Sequence, residues 1–283
     1  MSLRVFVSID MEGITGVAHA EELTADTPAW NRARQWMTDD LLAVVDGAKA
    51  GGATEIVVVD GHAGMRNVLF DDMPDGVVLH RGPASGRVNC QVEGLDSSFD
   101  AVLCVGYHSM AGTAGLLSHT WHGGVVMALR LNGHAVGELG ITAAVAGRFG
   151  VPVVFVSGDQ VVAAEAGAAI PGISTVVVKE STGRQNARCV APAAARAMLT
   201  AGAAEAIRNR AQVAPVATGS SARVEIDLTH SRHADRIVRF MGDRIDRVGP
   251  ATVGFEQPGV VEAFRLAWLA VELADMELGA WNR

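Results

Sequence analysis

The chain has 283 residues, 49% of them hydrophobic, with 31 acidic against 23 basic side chains and a formal net charge of -8. That length makes one large or two modest domains with core enough to need no staples, and an acidic balance without a Lys/Arg-rich run argues against a nucleic-acid groove or an anionic membrane surface. Cys90, Cys104 and Cys189 are odd in number and widely spaced, so they read as reduced thiols and exclude a disulfide framework.

The first predicted strand, Val5-Phe6-Val7-Ser8-Ile9, runs into Asp10-Met11-Glu12-Gly13. Its apolar stretch is too short for a secretory signal, which makes the cytoplasm the expected compartment. Helical spacing follows from Trp30 to Ala50, with Trp36, Leu41, Val44 and Val45 available to one face and Gly51-Gly52 closing it. A second strand, Ile56 to Val59, ends in Asp60-Gly61-His62. After a shorter strand at Val77-Leu79, a third apolar run, Ala101 to Val105, ends in Gly106-Tyr107-His108. No Asp, Glu, Lys or Arg occurs from Ala101 to Leu129, but this stretch holds His108, His119, His122 and several glycines. It therefore reads as a strand plus a long functional loop, and not as a membrane span.

Val125-Leu131 and His134-Val136 flank Asn132-Gly133, a strong hairpin signal that predicts a mixed sheet. A helix over Glu138-Phe149, a strand at Val153-Val156, a helix over Asp159-Ala169 and a strand at Thr175-Lys179 continue the α/β alternation. An Ala-rich helix from Ala191, a break at Pro215-Ser221, strands at Arg223-Leu228 and Thr252-Phe255, and a helix over Val260-Leu278 complete the chain. The expected fold is α/β: a three-layer, mostly parallel sheet domain over residues 1-190 and a smaller α+β domain over residues 191-283.

Three buried-type strands that each end in carboxylate or imidazole point to a metal site. Short, continuously apolar, β-branched runs are strands of a parallel sheet, and ligands of such sheets collect beyond the carboxyl ends of the strands. Asp10, Glu12, His62 and His108 then converge on one crevice, with a donor set that suits zinc or manganese. Asp60 is either a partner orienting His62 or a turn former. The fingerprints of dinucleotide, P-loop, serine-elbow and zincin enzymes do not occur in the sequence.

Ser8-Ile9-Asp10-Met11-Glu12-Gly13, Asp60-Gly61-His62, Val92-Glu93-Gly94-Leu95-Asp96, Gly106-Tyr107-His108, Ser118-His119 and Val136-Gly137-Glu138-Leu139-Gly140 stand in an order and spacing that resembles the D-aminopeptidases of the DppA type, a family of two-zinc aminopeptidases. The resemblance implies metal ligands at Asp10, Glu12, His62, His108 and Glu138, with Asp10 bridging two zinc ions per chain. It implies a catalytic His119 acting as base, acid or nucleophile, and a large ring-like homo-oligomer. It also implies short peptides as substrates, cleaved at the amino terminus with a preference for a D-residue. The hairpin before Glu138 is one residue longer than the family's, and His122 is not a family position; its loop setting favours a hydrogen-bonded or substrate-contacting role over ligation. Two other classes remain open from the residues alone: a dimetal phosphoesterase or amidase, which the lack of an Arg or Lys clamp near the motifs disfavours, and a non-catalytic protein in which metal ties strand ends together.

Overall fold

The structure is a computed structural model that describes residues 2–83 and 88–276. Its first sheet has seven strands, in the order β3 (Val77–His80), β2 (Glu55–Asp60), β1 (Arg4–Ile9), β4 (Ala101–Val105), β7 (Val153–Asp159), β8 (Ser174–Gly183) and β9 (Asn186–Cys189). All neighbours are parallel except the β8–β9 pair. From β1 the chain builds outward through β2 to β3 on one side and, from β4, through β7 to β8 on the other. The order therefore reverses between β1 and β4, the place where open α/β sheets put their sites.

Connections from β1 to β2 and from β7 to β8 run in opposite directions across the sheet, so right-handed crossovers put helix α1 (Pro28–Ala50) and helix α3 (Gln160–Ala169) on opposite faces. Thr27 caps α1 by accepting from the Trp30 amide at 3.1 Å, with Pro28 in the first turn. Helix α1 buries Trp30, Ala33, Met37, Leu41, Val44 and Ala48, the three-and-four spacing of one helical face. Helix α4 (Pro192–Arg208) lies beside α1, so closely that a Cβ on Gly47 would stand 2.3 Å from the Thr200 carbonyl oxygen.

The second sheet is antiparallel, in the order β11 (Asp246–Gly249), β12 (Thr252–Gln257), β10 (Ala222–Leu228), β5 (Val126–Leu131) and β6 (His134–Ala135). Helices α5 (Ser231–Met241) and α6 (Val260–Asp275) pack against it, and α6 also meets α2 (Glu138–Arg148). The Asn132-Gly133 hairpin thus forms at the expected residues but does not join the first sheet, as a single mixed sheet would require; β5 pairs with β10. β5 is antiparallel to both β10 and β6, and its Met127 is exposed, which distinguishes it from the fully buried β4 of the parallel sheet. Nor does the expected boundary at residue 190 follow the sheets, since β5 and β6 belong to the second while α4 packs on the first. The end of the last helix expected at Leu278 lies outside the described residues.

Candidate metal centre

Register brings the three motifs together. Ile9 pairs with Asp60 on one side and with Val105 on the other, so Asp10, His62 and His108 leave the sheet at one level. The ladder continues one step further, with the Asp10 amide donating to Val105 O at 2.8 Å and the Gly61 amide to Ile9 O at 2.8 Å. Beyond it the chain turns sharply: the Gly13 amide donates to Gly106 O at 2.7 Å, and a Cβ at Gly13 would lie 2.1 Å from Tyr107 O. Gly106 itself has φ +67, with no room for a side chain against Asp10 O.

Two groups of ligand-type side chains result. In one, His62 Nδ1 faces Asp10 Oδ1 at 3.1 Å and Glu12 Oε2 at 3.0 Å. In the other, His108 Nε2 faces Asp10 Oδ2 at 3.3 Å and Glu138 Oε1 at 3.3 Å. Asp10 therefore turns one oxygen to each group. Glu138 reaches the site from the first turn of α2, and its Oε1 accepts from the Trp121 amide at 2.7 Å. All five side chains are buried.

The electrostatics follow from that burial. Desolvation alone would raise the Asp10 carboxyl, but the facing imidazoles of His108 and His62 outweigh it and hold Asp10 well below the usual carboxylate range. Burial likewise would lower both imidazoles, yet Glu12 and Asp10 hold His62, and Glu138 and Asp10 hold His108, well above the ordinary histidine value. Each group thus concentrates negative potential on a point where imidazole nitrogens converge. Glu12 Oε2 and His108 Nε2 are buried with no hydrogen-bond partner, and His108 Nδ1 lies 3.0 Å from the Ser109 carbonyl oxygen, an acceptor that orients the ring and leaves Nε2 as the atom facing the carboxylates. Buried oxygen and imidazole donors left without hydrogen bonds fit a divalent cation such as zinc.

His119 stacks on His108, with ring centroids 4.0 Å apart and planes at 11°. Its Nδ1 lies 2.9 Å from Leu117 O, an acceptor, so Nδ1 carries the proton; Nε2 is directed toward Glu12 Oε1 at 3.8 Å. The loop around it is tied down on several sides. Leu117 and Trp121 take left-handed conformations, φ 52 and φ 57, and the Leu117 amide donates to Arg184 O at 2.8 Å. The Arg184 guanidinium donates to Ser118 O, and the Trp121 ring meets Phe264 and Trp268 of α6 edge-on at 5.5 Å and 5.6 Å. His122 is in neither group: its Nε2 faces Asp275 at the end of α6, 3.1 Å away.

Asp60 is held by the backbone that follows His62. It accepts from the Asn67 and Val68 amides at 2.5 Å and 2.9 Å, while the Asn67 side chain donates to Asp60 at 2.9 Å and to His62 O at 2.7 Å. Asp60 thus shapes the turn that carries His62. Sequence reasoning did not find Lys179, whose Nζ donates to the carbonyls of Glu12, Ile14 and Val17. In the sequence it stands directly after the apolar Val176-Val177-Val178 and reads only as the polar end of a predicted strand.

Comparison with known proteins agrees along nearly the whole length. The family model of peptidase family M55, D-aminopeptidase, matches residues 3–269. The D-aminopeptidase of Bacillus subtilis strain 168 is 32% identical over 272 residues, covering 96% of this chain and 98% of the relative. The solved structure of zinc-dependent D-aminopeptidase DppA from Bacillus subtilis, a self-compartmentalizing protease, superposes with a TM-score of 0.92 at 32% identity, over 96% of this chain and 98% of that one. From strand-end motifs to superposed fold, the chain belongs to the D-aminopeptidase family.

Proposed function

We propose that this aminopeptidase is a two-zinc enzyme that removes N-terminal residues, preferentially D-residues, from short peptides. The observation that carries the two-ion reading is Asp10, whose two carboxylate oxygens face two separate groups at 3.1 Å and 3.3 Å. Asp10, Glu12 and His62 would hold one ion, and His108, Glu138 and the other oxygen of Asp10 the second. Zinc bound there supplies a Lewis acid that polarises the scissile carbonyl and brings the pKa of water toward neutrality.

The chain's own residues do the rest. Nδ1 of His119 is committed to Leu117 O, so Nε2 is the atom that takes or gives a proton, and the fixed loop holds it to one orientation. Burial of the ligands excludes bulk water and strengthens each charge interaction in the site. The acidic surroundings suit a substrate with a free ammonium group. Asp60, whose oxygens accept from Asn67 and Val68, serves the turn that carries His62.

Nothing in the site favours a phosphoesterase. Lys179, the basic side chain that reaches the Glu12 loop, directs its protons to three carbonyls and not toward the ligands. Among the described residues no helix is long and apolar enough to cross a membrane, and a cytoplasmic, ring-like homo-oligomer remains part of this proposal. Its test is elemental analysis joined to peptide turnover before and after chelation: about two zinc ions per chain, with activity lost on chelation and restored by zinc, is the expected result. A metal-free protein that hydrolyses peptides equally well sinks it.

A further inference from the structure

Lys179 is 1% exposed, and removing an ammonium from water costs several kcal/mol unless its protons are met. Here they are met by Glu12 O, Ile14 O and Val17 O, at 2.5 Å, 2.7 Å and 2.6 Å. All three acceptors lie in the irregular segment that follows β1, where the chain leaves its sheet partners and its carbonyls lose their ladder donors. A lysine suits this convergence because its compact head offers three donors to three acceptors around one point, whereas the planar fork of arginine does not.

The strand that delivers Lys179 is bent to do so. On β8, Val177 pairs with Gly158 but Lys179 pairs with Asp159, so the register slips by one residue at Val178. Val178 and Lys179 are both buried, which strict alternation along a strand does not allow. The bulge re-aims Lys179 inward. Two other elements hold the same segment: the Gly13 amide is fixed on Gly106 O at 2.7 Å, and the Thr15 amide donates to Asp40 of α1 at 2.8 Å.

We propose that Lys179 is a positioning residue for metal binding: by gathering the carbonyls of Glu12, Ile14 and Val17 around its ammonium, it fixes the turn from which Asp10 and Glu12 face His62, and so sets the zinc affinity of that group. The proposal rests on the metal reading above. It makes Lys179 a shared donor for carbonyls the sheet no longer serves, of which Ile14 O also accepts from the Val17 amide at 3.2 Å, acting on the ligands through the main chain and touching neither substrate nor zinc.

The test compares Lys179→Met, Lys179→Gln and a control, Val176→Ala, which opens a core site on the same strand before the register slip. Zinc affinity is read by competition with a chelator, beside zinc content, kcat, KM and thermal midpoint. The expected result is a loss of zinc affinity of roughly tenfold or more in Lys179→Met, a smaller loss in Lys179→Gln, which keeps an amide donor, and wild-type affinity in Val176→Ala despite its lowered midpoint. If Lys179→Met does not fold, Lys179→Gln carries the comparison. Wild-type zinc affinity in the folded Lys179 variants overturns the proposal, as does a control whose affinity falls in step with its stability. Wild-type protein run in parallel reports on the metal reading itself: if it takes up no zinc, that reading falls and this one with it, whereas equal uptake by wild type and variants removes the role of Lys179 alone.

Discussion

His108 and His119 lie ring on ring, yet their second nitrogens are fixed differently in sequence: one proton on Ser109 O, the other on Leu117 O. Both Nε2 atoms are thereby turned inward, and the two histidines are distinguished by what they face. His108 faces two carboxylates at 3.3 Å, His119 a single one at 3.8 Å. His119→Ala is therefore expected to retain zinc and to lose turnover by roughly two or more orders of magnitude, the scale of a positioned acid or base, whereas His108→Ala loses zinc. Zinc content and kcat measured on both variants decide it, and loss of zinc from the His119 variant would make it a ligand. Asp10→Ala is expected to lose more zinc than Glu12→Ala, since Asp10 serves both groups.

Asp40 offers a pH test of the loop. Burial pushes its carboxyl up to about 6, against the donating Thr15 amide, which pulls the other way. A raised carboxyl means that the folded protein holds the proton more tightly than the unfolded chain. Stability from this group is full below the ordinary value of about 4, falls as pH rises toward 6, and is level above that. Asp40→Asn keeps an acceptor for Thr15 and removes the slope, so at pH 7.5 it is expected to be more stable than wild type by about 1 to 3 kcal/mol. Denaturant unfolding of both proteins between pH 4 and 8 checks this; parallel curves contradict it.

At the scale of elements, the strand ends were legible and the sheet assignment was not. Asp10, His62 and His108 announce themselves because a buried parallel strand has a short apolar composition and an abrupt polar end, both local properties. Sheet membership of β5 is nonlocal, settled by its pairing with β10 almost a hundred positions later. Glu138 gives no local sign beyond favourable placement in a helix first turn, and it entered through the family pattern. Lys179 was illegible because a bulge, which sequence does not mark, turns it inward. The close approach of α1 and α4 supplies a test at this scale. Gly47→Ala would place a methyl 2.3 Å from Thr200 O, and separating α1 from α4 to admit it is expected to cost about 1 to 3 kcal/mol, with zinc content unchanged. A thermal midpoint equal to wild type would contradict the packing.

For the molecule as a whole, the family assignment and the acidic site converge on peptides with a free amino terminus. Initial rates on matched D,D-, L,L-, mixed and N-acetylated dipeptides separate the parts of that statement. Faster cleavage of D,D-peptides and at least tenfold slower cleavage of the acetylated ones are expected, because a site built around a charged amine rejects its neutral analogue strongly. Preference for L,L-peptides would remove the D-specific reading and leave the aminopeptidase, whereas full activity on acetylated substrates would count against amine recognition. Light scattering on the same preparation reads the expected assembly.

Trp121 in the His119 loop rests on Phe264 and Trp268, and β5 soon after it waits for β10. Synthesis proceeds from the other end. When the ribosome has made every proposed ligand, through Glu138, the helix that braces the His119 loop is still more than a hundred residues away. The nascent chain therefore presents its proposed ligands before the helix that braces the His119 loop, and hydrolytic competence is expected only once that helix has folded.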